Sequence, residues 1–339
     1  MNPDSSTLRV AVVIPCYRVE NAIRDVVTGL PSWITAVVAV NDCSPDRSGE
    51  ILDEMAREMP FLHVRHHEKN QGVGGAMATG FQAALELDVD VVVKMDGDGQ
   101  MDPSFLPALL EPLRSGRADY AKGNRLRSLK GLQSMPKMRL FGNIALTFLT
   151  KVASGCWHVM DVQNGYLAIT KEALADLPLE RVEKSYAFEN WMLAQVANHG
   201  FHVADVPMPA IYGDEISSLS ITKTLWSFPP KLVRLFVERL VLRYVIFDLS
   251  PIALYLVAGT TLMLFGSGFG AYQWWMSRIT GVPALTGSIA LTLLPLLLGF
   301  NLLLQAVDMD IRNAPKPRDP LAQPRFGAPW IGDRPKDSL

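Results

Sequence analysis

The chain is poor in cysteine, close to electrically neutral and without a basic leader. Its 339 residues include three cysteines, Cys16, Cys43 and Cys156, which lie far apart and form no CxxC pair. Such scattered thiols fit a reducing compartment and argue against a structural zinc site. The formal net charge is −2, so no basic field favours nucleic acid as a partner. The N-terminus, MNPDSSTLRV, lacks the basic and then apolar pattern of a signal peptide, so we expect this part to stay in the cytoplasm.

Charged residues are also missing from two long stretches near the C-terminus, residues 249–277 and 279–307. Each is longer than the roughly 20 apolar residues with which a helix crosses a bilayer, so a pair of buried core helices is a poor alternative. Basic residues precede the first stretch and follow the second, whereas only Arg278 separates them. The positive-inside rule then predicts an integral membrane protein with two spans and both termini in the cytoplasm.

Composition predicts four parts: a soluble α/β domain, a basic amphipathic juxtamembrane helix, two transmembrane helices and a cytoplasmic, disordered tail rich in proline and charge. Their bounds are residues 1–222, 223–248, 249–307 and 308–339. In the second part, charges at helical spacing follow Pro229-Pro230, which predicts a helix over residues 231–247 that starts after the prolines. Beside a membrane span such a helix commonly lies in the interface, and an ordinary surface helix is the alternative.

Short apolar runs alternate with helical patterns in the first hundred residues. The predicted buried strands are residues 9–14, 36–40, 62–66 and 89–95, and the predicted helices between them are residues 21–29, 48–58 and 75–87. This order predicts a parallel sheet covered by helices. Ligands bind beyond the carboxyl ends of such strands, so we expect one active site where polar segments follow them. Those segments are residues 15–20, 41–46 and 96–100.

The segment after the fourth strand, MDGDGQMDP (residues 95–103), offers oxygen ligands. Asp96 and Asp98 lie two residues apart, on one side of the chain if it is extended, and a glycine follows each of them. Together with the amide of Gln100 they are the hard oxygen ligands that suit Mg²⁺ or Mn²⁺. Asp102, directly before Pro103, fits a helix N-cap instead.

A glycine-rich segment, NQGVGGAMATG (residues 70–80), precedes the third predicted helix. Its glycines allow either of two roles: a phosphate cradle at the helix N-terminus, or close packing of the helix on the sheet. The Lys-Ser/Thr pair of a P-loop is absent, so that motif is excluded.

Taken in order, PCYRVEN, VNDCSPD, NQGVGGAMATG and MDGDGQMDP resemble the inverting GT-A glycosyltransferases of family two. More narrowly, the set resembles the polyprenyl-phosphate (dolichol-phosphate-type) hexosyltransferases, in which two C-terminal spans are usual. The likeness continues through KGNRLRS, DVQNGYLAITKEAL and YAFENWMLAQVANHGFHVADVPM and covers roughly residues 10–220. It implies a Rossmann-like, mostly parallel GT-A sheet. It also implies the transfer of a hexose from a UDP- or GDP-sugar to a polyprenyl phosphate. This transfer would depend on a metal ion, invert the sugar's configuration and take place at the cytoplasmic face of the membrane. The resemblance allows a homo-oligomer but does not require one.

The resemblance also implies a donor side of the site. The residues that would hold the base and ribose are Pro15, Tyr17, Glu20 and Asp42. Asp96 would face the ribose and the diphosphate. The ligands of the Mg²⁺ or Mn²⁺ ion on the diphosphate would be Asp98 and Gln100, with Asp96 beside them. This ion would neutralise the charge that grows on the leaving diphosphate.

On the acceptor side, the resemblance implies that Arg125 and Arg139 face the lipid phosphate, with Asn143 one turn after Arg139. Arginine suits this role because its planar fork matches phosphate. Gly165 would line the sugar pocket. Glu189 would position the acceptor or the sugar, and a structural or capping role is the alternative. The four residues expected to be catalytic are Asp96, Asp98, Arg125 and Arg139.

The expected acceptor follows from what each acceptor needs. A phosphomonoester has a second pKa of about 6 and is largely ionised at neutral pH, whereas a sugar hydroxyl needs a general base. Hydroxyl-acceptor relatives carry a Glu-Asp pair whose Asp is that base, but this chain reads FEN, with Asn190 in its place. This favours the lipid phosphate. Two alternatives stay open: a membrane-tethered glycosyltransferase with a hydroxyl acceptor (glycolipid or polysaccharide), and a non-catalytic membrane scaffold with a transferase fold.

The chain departs from the family pattern at three places. Arg18 stands where Asn commonly follows the Tyr, and Asn41 stands where an Asp often precedes Asp42. Because of these two departures, the motifs do not identify which nucleotide base the protein binds. The segment YGDEISSLS lacks an Arg that the family often has there, so the third contact to the acceptor phosphate is open as well, with Lys223 as a candidate.

Overall fold

The computed structural model describes residues 8–126, 137–185, 187–209, 221–247 and 250–319. The strands are β1 (Val10–Cys16), β2 (Ala36–Asn41), β3 (Leu62–His66), β4 (Val91–Lys94), β5 (Tyr120–Asn124), β6 (Leu167–Thr170) and β7 (Val203–Pro207). The helices up to the last strand are α1 (Ile23–Thr28), α2 (Ser48–Glu58), α3 (Gly72–Leu85), α4 (Leu106–Arg114), α5 (Lys137–Ser154), α6 (Lys171–Ala175) and α7 (Phe188–Asn198). Those that follow are α8 (Ile221–Val241), α9 (Pro251–Thr280) and α10 (Thr286–Arg312), and two 3₁₀ segments cover Pro103–Phe105 and Leu179–Arg181.

The seven strands form one sheet in the order β3-β2-β1-β4-β6-β5-β7. Strands β1 to β4 pair in parallel, as does β5 with β7, whereas β6 runs antiparallel to both of its neighbours, β4 and β5. The predicted α/β class and the mostly parallel sheet are confirmed. The antiparallel β6 was not predicted, because the direction of a strand depends on its partners and not on its local sequence.

The central strands are apolar along their whole length because helices cover both faces of the sheet. Residues Val10–Ile14 of β1 are fully buried, and β2 is buried throughout. Helix α3 packs so closely on these strands that a β-carbon on Gly80 would lie 2.3 Å from Val13 Cγ1 and 3.2 Å from Val40 Cγ2. Of the two roles open for the glycine-rich segment, close packing is therefore the one that Gly80 serves.

A second compact unit comprises Phe236–Ala314 and holds two helices long and apolar enough to cross a membrane, Pro251–Thr280 and Thr286–Arg312. They approach each other at two glycines: a β-carbon on Gly259 would lie 3.0 Å from the carbonyl oxygen of Gly299, and one on Gly299 would lie 2.8 Å from that of Gly259. Small residues at such a contact let two helix backbones approach each other closely.

The same unit contains a buried ion pair. The guanidinium Nη1 of Arg239 donates to Asp310 Oδ1 at 2.6 Å and to the hydroxyl of Tyr244 at 3.2 Å, and that hydroxyl also contacts Asp310. All three side chains are buried. Because the charges are paired, the desolvation that each would suffer alone is offset.

Helix α8 differs from the sequence-based expectation. It begins at Ile221 and continues through Pro229 and Pro230, instead of starting after them, and then passes into a π-helical segment, Leu242–Phe247. Prolines remove backbone N–H donors and disfavour a helix interior. Burial of Phe228, Leu232 and Leu235 on one face of the helix offsets this cost.

The first part of the tail also differs from expectation, because α10 extends to Arg312 and the residues after it pack on the sheet domain. The carbonyl of Pro315 accepts from Val203 N at 2.8 Å, which adds a contact to strand β7. Arg318 Nη2 lies 2.9 Å from Asp119 Oδ2, and Arg318 N donates to the carbonyl of Arg117 at 2.7 Å. An ion pair and backbone hydrogen bonds therefore order this segment. The predicted disorder of residues 320–339 concerns residues outside the described part of the chain.

We expect Arg318→Ala to lower the free energy of unfolding by on the order of 1–3 kcal/mol, because it removes two charged hydrogen bonds from the fully buried Asp119. Thermal or denaturant unfolding of the full chain in detergent measures the change. The matched control is Arg312→Ala, which removes a pair between two exposed side chains, Arg312 and Asp308, and should change stability by less than about 0.5 kcal/mol. Equal effects of the two variants would show that the tail contact contributes no special stability.

Candidate active site

A pocket of about 110 Å³ lies beyond the carboxyl ends of the strands. Five residues that the sequence predicted for one site line it: Asp96, Asp98, Gln100, Arg125 and Gly165. They come from three separate segments, which follow β4, follow β5 and precede β6. The sheet brings these segments together because β4, β6 and β5 are neighbours.

At the end of β4, Lys94 lies between two carboxylates. Its ammonium Nζ is 2.6 Å from Asp96 Oδ1 and 3.3 Å from Glu189 Oε1, and the side chain is 1% exposed. Burial by itself lowers the pKa of Lys94, but attraction to Asp96 and Glu189 outweighs it and leaves the pKa raised, so the ammonium stays charged. The sequence reasoning missed Lys94. The available signal was a single lysine closing the apolar run VVVK directly before the acidic segment.

The acidic segment is a turn and not the extended chain that would have put Asp96 and Asp98 on one side. Gly99 has φ +79°, in the left-handed region that favours glycine, and the backbone N–H of Gln100 donates to Asp98 Oδ1 at 3.0 Å. Both carboxylates still reach the pocket. Asp102 is the N-cap of the 3₁₀ segment Pro103–Phe105, with Oδ1 accepting from Ser104 N at 2.8 Å, so its predicted capping role is confirmed.

The donor set of the pocket fits a divalent metal that arrives with phosphate. In the described part of the chain, no group of three or more His, Cys, Asp or Glu side chains could hold a metal ion unaided. One or two carboxylates with an amide oxygen match Mg²⁺, which keeps several water or phosphate ligands. Asp98 and Gln100 offer such oxygens, and Asp96 can add the oxygen that Lys94 does not hold.

Arg125 is held by a carboxylate that the sequence reasoning did not single out. Its Nε lies 2.8 Å from Asp161 Oδ2, its Nη2 lies 3.2 Å from Asp161 Oδ1, and its backbone N–H also donates to Asp161 at 3.0 Å. Asp161 is 4% exposed, whereas the side chain of Arg125 is 38% exposed. The pair therefore fixes the guanidinium in one orientation at the pocket. Asp161 begins the DVQNGY motif, which was the signal for it.

Asn190 is the residue for which the family resemblance implied an acceptor-side difference. It is fully buried, its side-chain oxygen accepts from Gln163 Nε2 at 2.7 Å, and its amide donates to Thr150 at 3.0 Å. These contacts give Asn190 a structural part under the pocket. Glu189, next to it, is 8% exposed and faces Lys94.

The residues expected on the nucleotide side lie at the end of β1 and in the loops after β1 and β2. Asp42 is buried and accepts from Gln71 N and Gly72 N, both at 2.8 Å, and from His67 Nδ1 at 2.7 Å. It therefore holds the start of α3, which begins at Gly72 and not at residue 75 as expected.

The remaining nucleotide-side residues are more accessible. Tyr17 is 43% exposed, and the guanidinium carbon of Arg18 lies 5.4 Å from the centre of its ring. Pro15 is half-buried in β1, and Glu20 accepts from the backbone N–H of Arg47 at 2.9 Å, at the start of α2. The structure thus brings Tyr17 and Glu20 to the edge where β1 and β2 end. The side chains of Arg139 and Asn143, and that of Lys223, lie outside the described part of the chain.

Asp46 joins the two loops and was missed in the sequence. Its Oδ1 accepts from Ser44 Oγ and Ser48 Oγ, both at 2.6 Å, and its Oδ2 accepts from Glu20 N at 3.2 Å. Burial raises the pKa of Asp46, but the hydrogen bonds from Ser44, Ser48 and Glu20 outweigh it and lower the pKa to about 2. The carboxylate is therefore ionised in the folded protein at all ordinary pH values.

The sheet domain, with seven mostly parallel strands and polar loops at one edge, has the GT-A fold. The sheet domain is similar to the crystal structure of mannosyl-3-phosphoglycerate synthase from Rubrobacter xylanophilus, with a TM-score of 0.51 and 15% sequence identity over 69% of this chain and 74% of that one. At this identity the likeness concerns the fold alone.

Sequence comparison then places the chain in a family. Residues 11–177 match the model of glycosyl transferase family 2. The chain is 30% identical to the UDP-N-acetylglucosamine–dolichyl-phosphate N-acetylglucosaminyltransferase of Methanococcus voltae, over 59% of this chain and 85% of the relative. It is 32% identical to the undecaprenyl-phosphate mannosyltransferase of Micrococcus luteus, over 59% and 83%. The chain belongs to glycosyl transferase family 2, as its motifs predicted, and it is an enzyme of the glycosyltransferase class.

We expect Asp46→Asn to destabilise the protein at pH 7, because the amide replaces the acceptor Oδ2 by a donor and removes the negative charge to which the other three hydrogen bonds are made. The folded-state pKa of Asp46, about 2, lies below its unfolded value of about 3.9. Its contribution is therefore complete above pH of about 4 and is lost as the pH falls toward about 2.

Denaturant unfolding of both proteins between pH 2 and pH 7 measures this difference, which should shrink over that window. Glu86→Gln, at an exposed glutamate of the same domain, is the control and should show no such trend. A constant difference between wild type and Asp46→Asn across the window would contradict the expectation.

Proposed function

We propose that this enzyme transfers a hexose from a UDP- or GDP-sugar to a polyprenyl phosphate, with inversion and with a divalent metal ion, at the cytoplasmic face of the membrane. The observation that carries the proposal is the pocket that combines Asp96, Asp98 and Gln100 with the oriented guanidinium of Arg125. Acidic groups suit a metal–diphosphate donor, and the arginine suits an anionic acceptor.

On the donor side, Asp98 and Gln100, with one oxygen of Asp96, would hold Mg²⁺ or Mn²⁺. When bound, the metal supplies charge that stabilises the leaving diphosphate. The loops after β1 and β2 would receive the base and ribose at Tyr17 and Glu20, with Pro15 beneath them. Asp42 and Asp46 keep these loops in shape through hydrogen bonds to the backbone.

On the acceptor side, Arg125 would bind the phosphate, together with Arg139 and Asn143. Because Asp161 holds the guanidinium from one edge, its orientation is set before the acceptor arrives. A phosphate needs no general base, and the amide of Asn190 is buried and engaged with its neighbours. Gly165 would leave room for the sugar between the two sides.

A lipid acceptor is further supported by apolar side chains on the surface of the catalytic domain. Helix α5 and the segment after it expose Ile144, Phe148, Leu149 and Met160, each by at least 43%. Exposed apolar groups on a helix and on the segment that packs against it suit contact with lipid. The two long apolar helices supply a membrane anchor, and the names of the relatives, which act on dolichyl or undecaprenyl phosphate, point the same way.

The deciding experiment incubates the purified full chain with Mg²⁺ or Mn²⁺, a panel of radiolabelled UDP- and GDP-sugars, and a polyprenyl phosphate. We expect label to enter the lipid phase with one donor. If no donor gives labelled lipid, the proposal is wrong. A parallel assay with glycolipid or polysaccharide acceptors tests the hydroxyl alternative, which requires transfer to a hydroxyl that Glu189→Ala abolishes while donor binding persists.

We expect Asp98→Asn to lower the rate of transfer by about 100-fold or more, because it removes a carboxylate that would hold the metal ion. The same change should raise the Mg²⁺ or Mn²⁺ concentration needed for half-maximal rate. The rate of label transfer across a metal titration measures both effects. Asp102→Asn is the matched control in the same turn: Asn caps a helix as well as Asp, so activity should stay within a few-fold. An active Asp98→Asn enzyme with unchanged metal dependence would overturn the assignment of Asp98 as a metal ligand.

A further inference from the structure

One buried ammonium serves two carboxylates at the pocket, and the proposed function gives it no task. Lys94 Nζ lies 2.6 Å from Asp96 Oδ1 and 3.3 Å from Glu189 Oε1. Lys94 is 1% exposed, and the side chain of Glu189 is 10% exposed, whereas that of Asp96 is 33% exposed. The lysine therefore lies behind Asp96 as seen from the pocket. It can reach the substrate only through the carboxylate that it holds.

The backbone at Gly165 lies close against this ion pair. A β-carbon on Gly165 would lie 2.4 Å from Lys94 Nζ and 2.6 Å from Asp96 Oδ2, distances that real β-carbons do not reach. Gly165 therefore bounds the ion pair on one side. The lack of a side chain at residue 165 therefore allows the contact between Lys94 and Asp96. It can also leave space for a sugar.

The segment that carries Gly165 is held from a neighbouring strand by a second lysine. Lys122 is fully buried, and its Nζ donates to the carbonyl of Asn164 at 2.5 Å. In the sheet register Lys94 and Lys122 both pair with Leu167, one from each side, so the two lysines stand at the same level of the sheet. Residues paired in register point to the same face, which brings both ammonium groups under the pocket.

We propose that Lys94 is a positioning residue for the donor: it holds one oxygen of Asp96 so that the other faces the metal–diphosphate, and it links Glu189 to that carboxylate. The inference rests on the proposed function. The ammonium of Lys94 offsets part of the negative charge of Asp96 and Glu189. Without Lys94 the pocket would be more negative and would repel the diphosphate more strongly. Glu189 then acts through Lys94 and not on the acceptor.

Binding of UDP and of GDP to the full chain in detergent, with Mn²⁺, tests this by calorimetry without any turnover. We expect Lys94→Met to weaken binding of the nucleotide that the wild type accepts by at least 10-fold. Lys94→Arg, which keeps the charge, should bind more tightly than Lys94→Met. The decisive comparison is the double variant Lys94→Met/Glu189→Gln, which removes one of the two carboxylates left without their lysine. It should bind more tightly than Lys94→Met alone.

A purely structural role for Lys94 predicts that binding changes only as far as thermal stability changes, because Glu189→Gln also removes a buried charge that has lost its partner. The inference is overturned if Lys94→Met binds like the wild type, if Glu189→Gln does not improve its binding, or if the improvement only follows a matching gain in thermal stability. Gly165→Ala tests the same contact without any change of charge and covers the case in which Lys94→Met fails to fold. It should weaken nucleotide binding, whereas Gly287→Ala, where an added β-carbon meets nothing within 4 Å, should not. Equal binding by both glycine variants would also count against the inference.

The two proposals fail in different ways. If the wild type binds neither UDP nor GDP with Mn²⁺ or Mg²⁺, the proposed function is wrong and this inference falls with it. If the wild type binds one of them and Lys94→Met binds it equally well, the proposed function stands and only the role of Lys94 is wrong.

Discussion

Neighbouring parallel strands have their carboxyl ends at the same edge of the sheet, and the candidate site depends on this constraint. Strands β1, β2 and β4 are neighbours around β1, so the loops that follow them meet. Loops at such an edge carry backbone groups without strand partners, and these need other hydrogen-bond partners. Asp42 and Asp46 supply them, since each accepts from backbone N–H groups of a helix start or of a neighbouring loop. The edge is thereby shaped before any ligand arrives.

Charge pairing is the second constraint on the pocket. A buried charge is costly unless it is paired. Lys94 is paired with Asp96 and Glu189, and Asp161 is paired with Arg125. In each pairing the more exposed member, Asp96 or Arg125, is the one that lines the pocket. A buried partner therefore orients each of these two charged groups. The proposed donor would meet Asp96, and the proposed acceptor would meet Arg125.

The unit Phe236–Ala314 follows the same rule with different means. Its two long helices expose mostly apolar side chains and approach each other closely at Gly259 and Gly299. The buried charges of Arg239 and Asp310 in this unit are paired with each other. Such a pair adds little net stability, because the desolvation of the two charges offsets much of their attraction.

The sequence by itself determined the class of sheet, the first four strands, the two apolar helices and the family. These follow from local patterns: apolar runs, charge-free stretches and ordered short motifs report on the chain near themselves. Asp102 belongs here too, because a cap acts on the residues directly after it. Only the tertiary structure decided that Lys94 meets Glu189, that Asp161 holds Arg125, and that Pro315 and Arg318 return to the sheet domain. The tertiary structure also explains why residues 80 and 165 are glycines: a β-carbon at either position would collide with a neighbouring side chain. The physical reason is the same in each case: the partner is distant in sequence, and whether a charge is paired or a β-carbon fits depends on which strands and helices become neighbours.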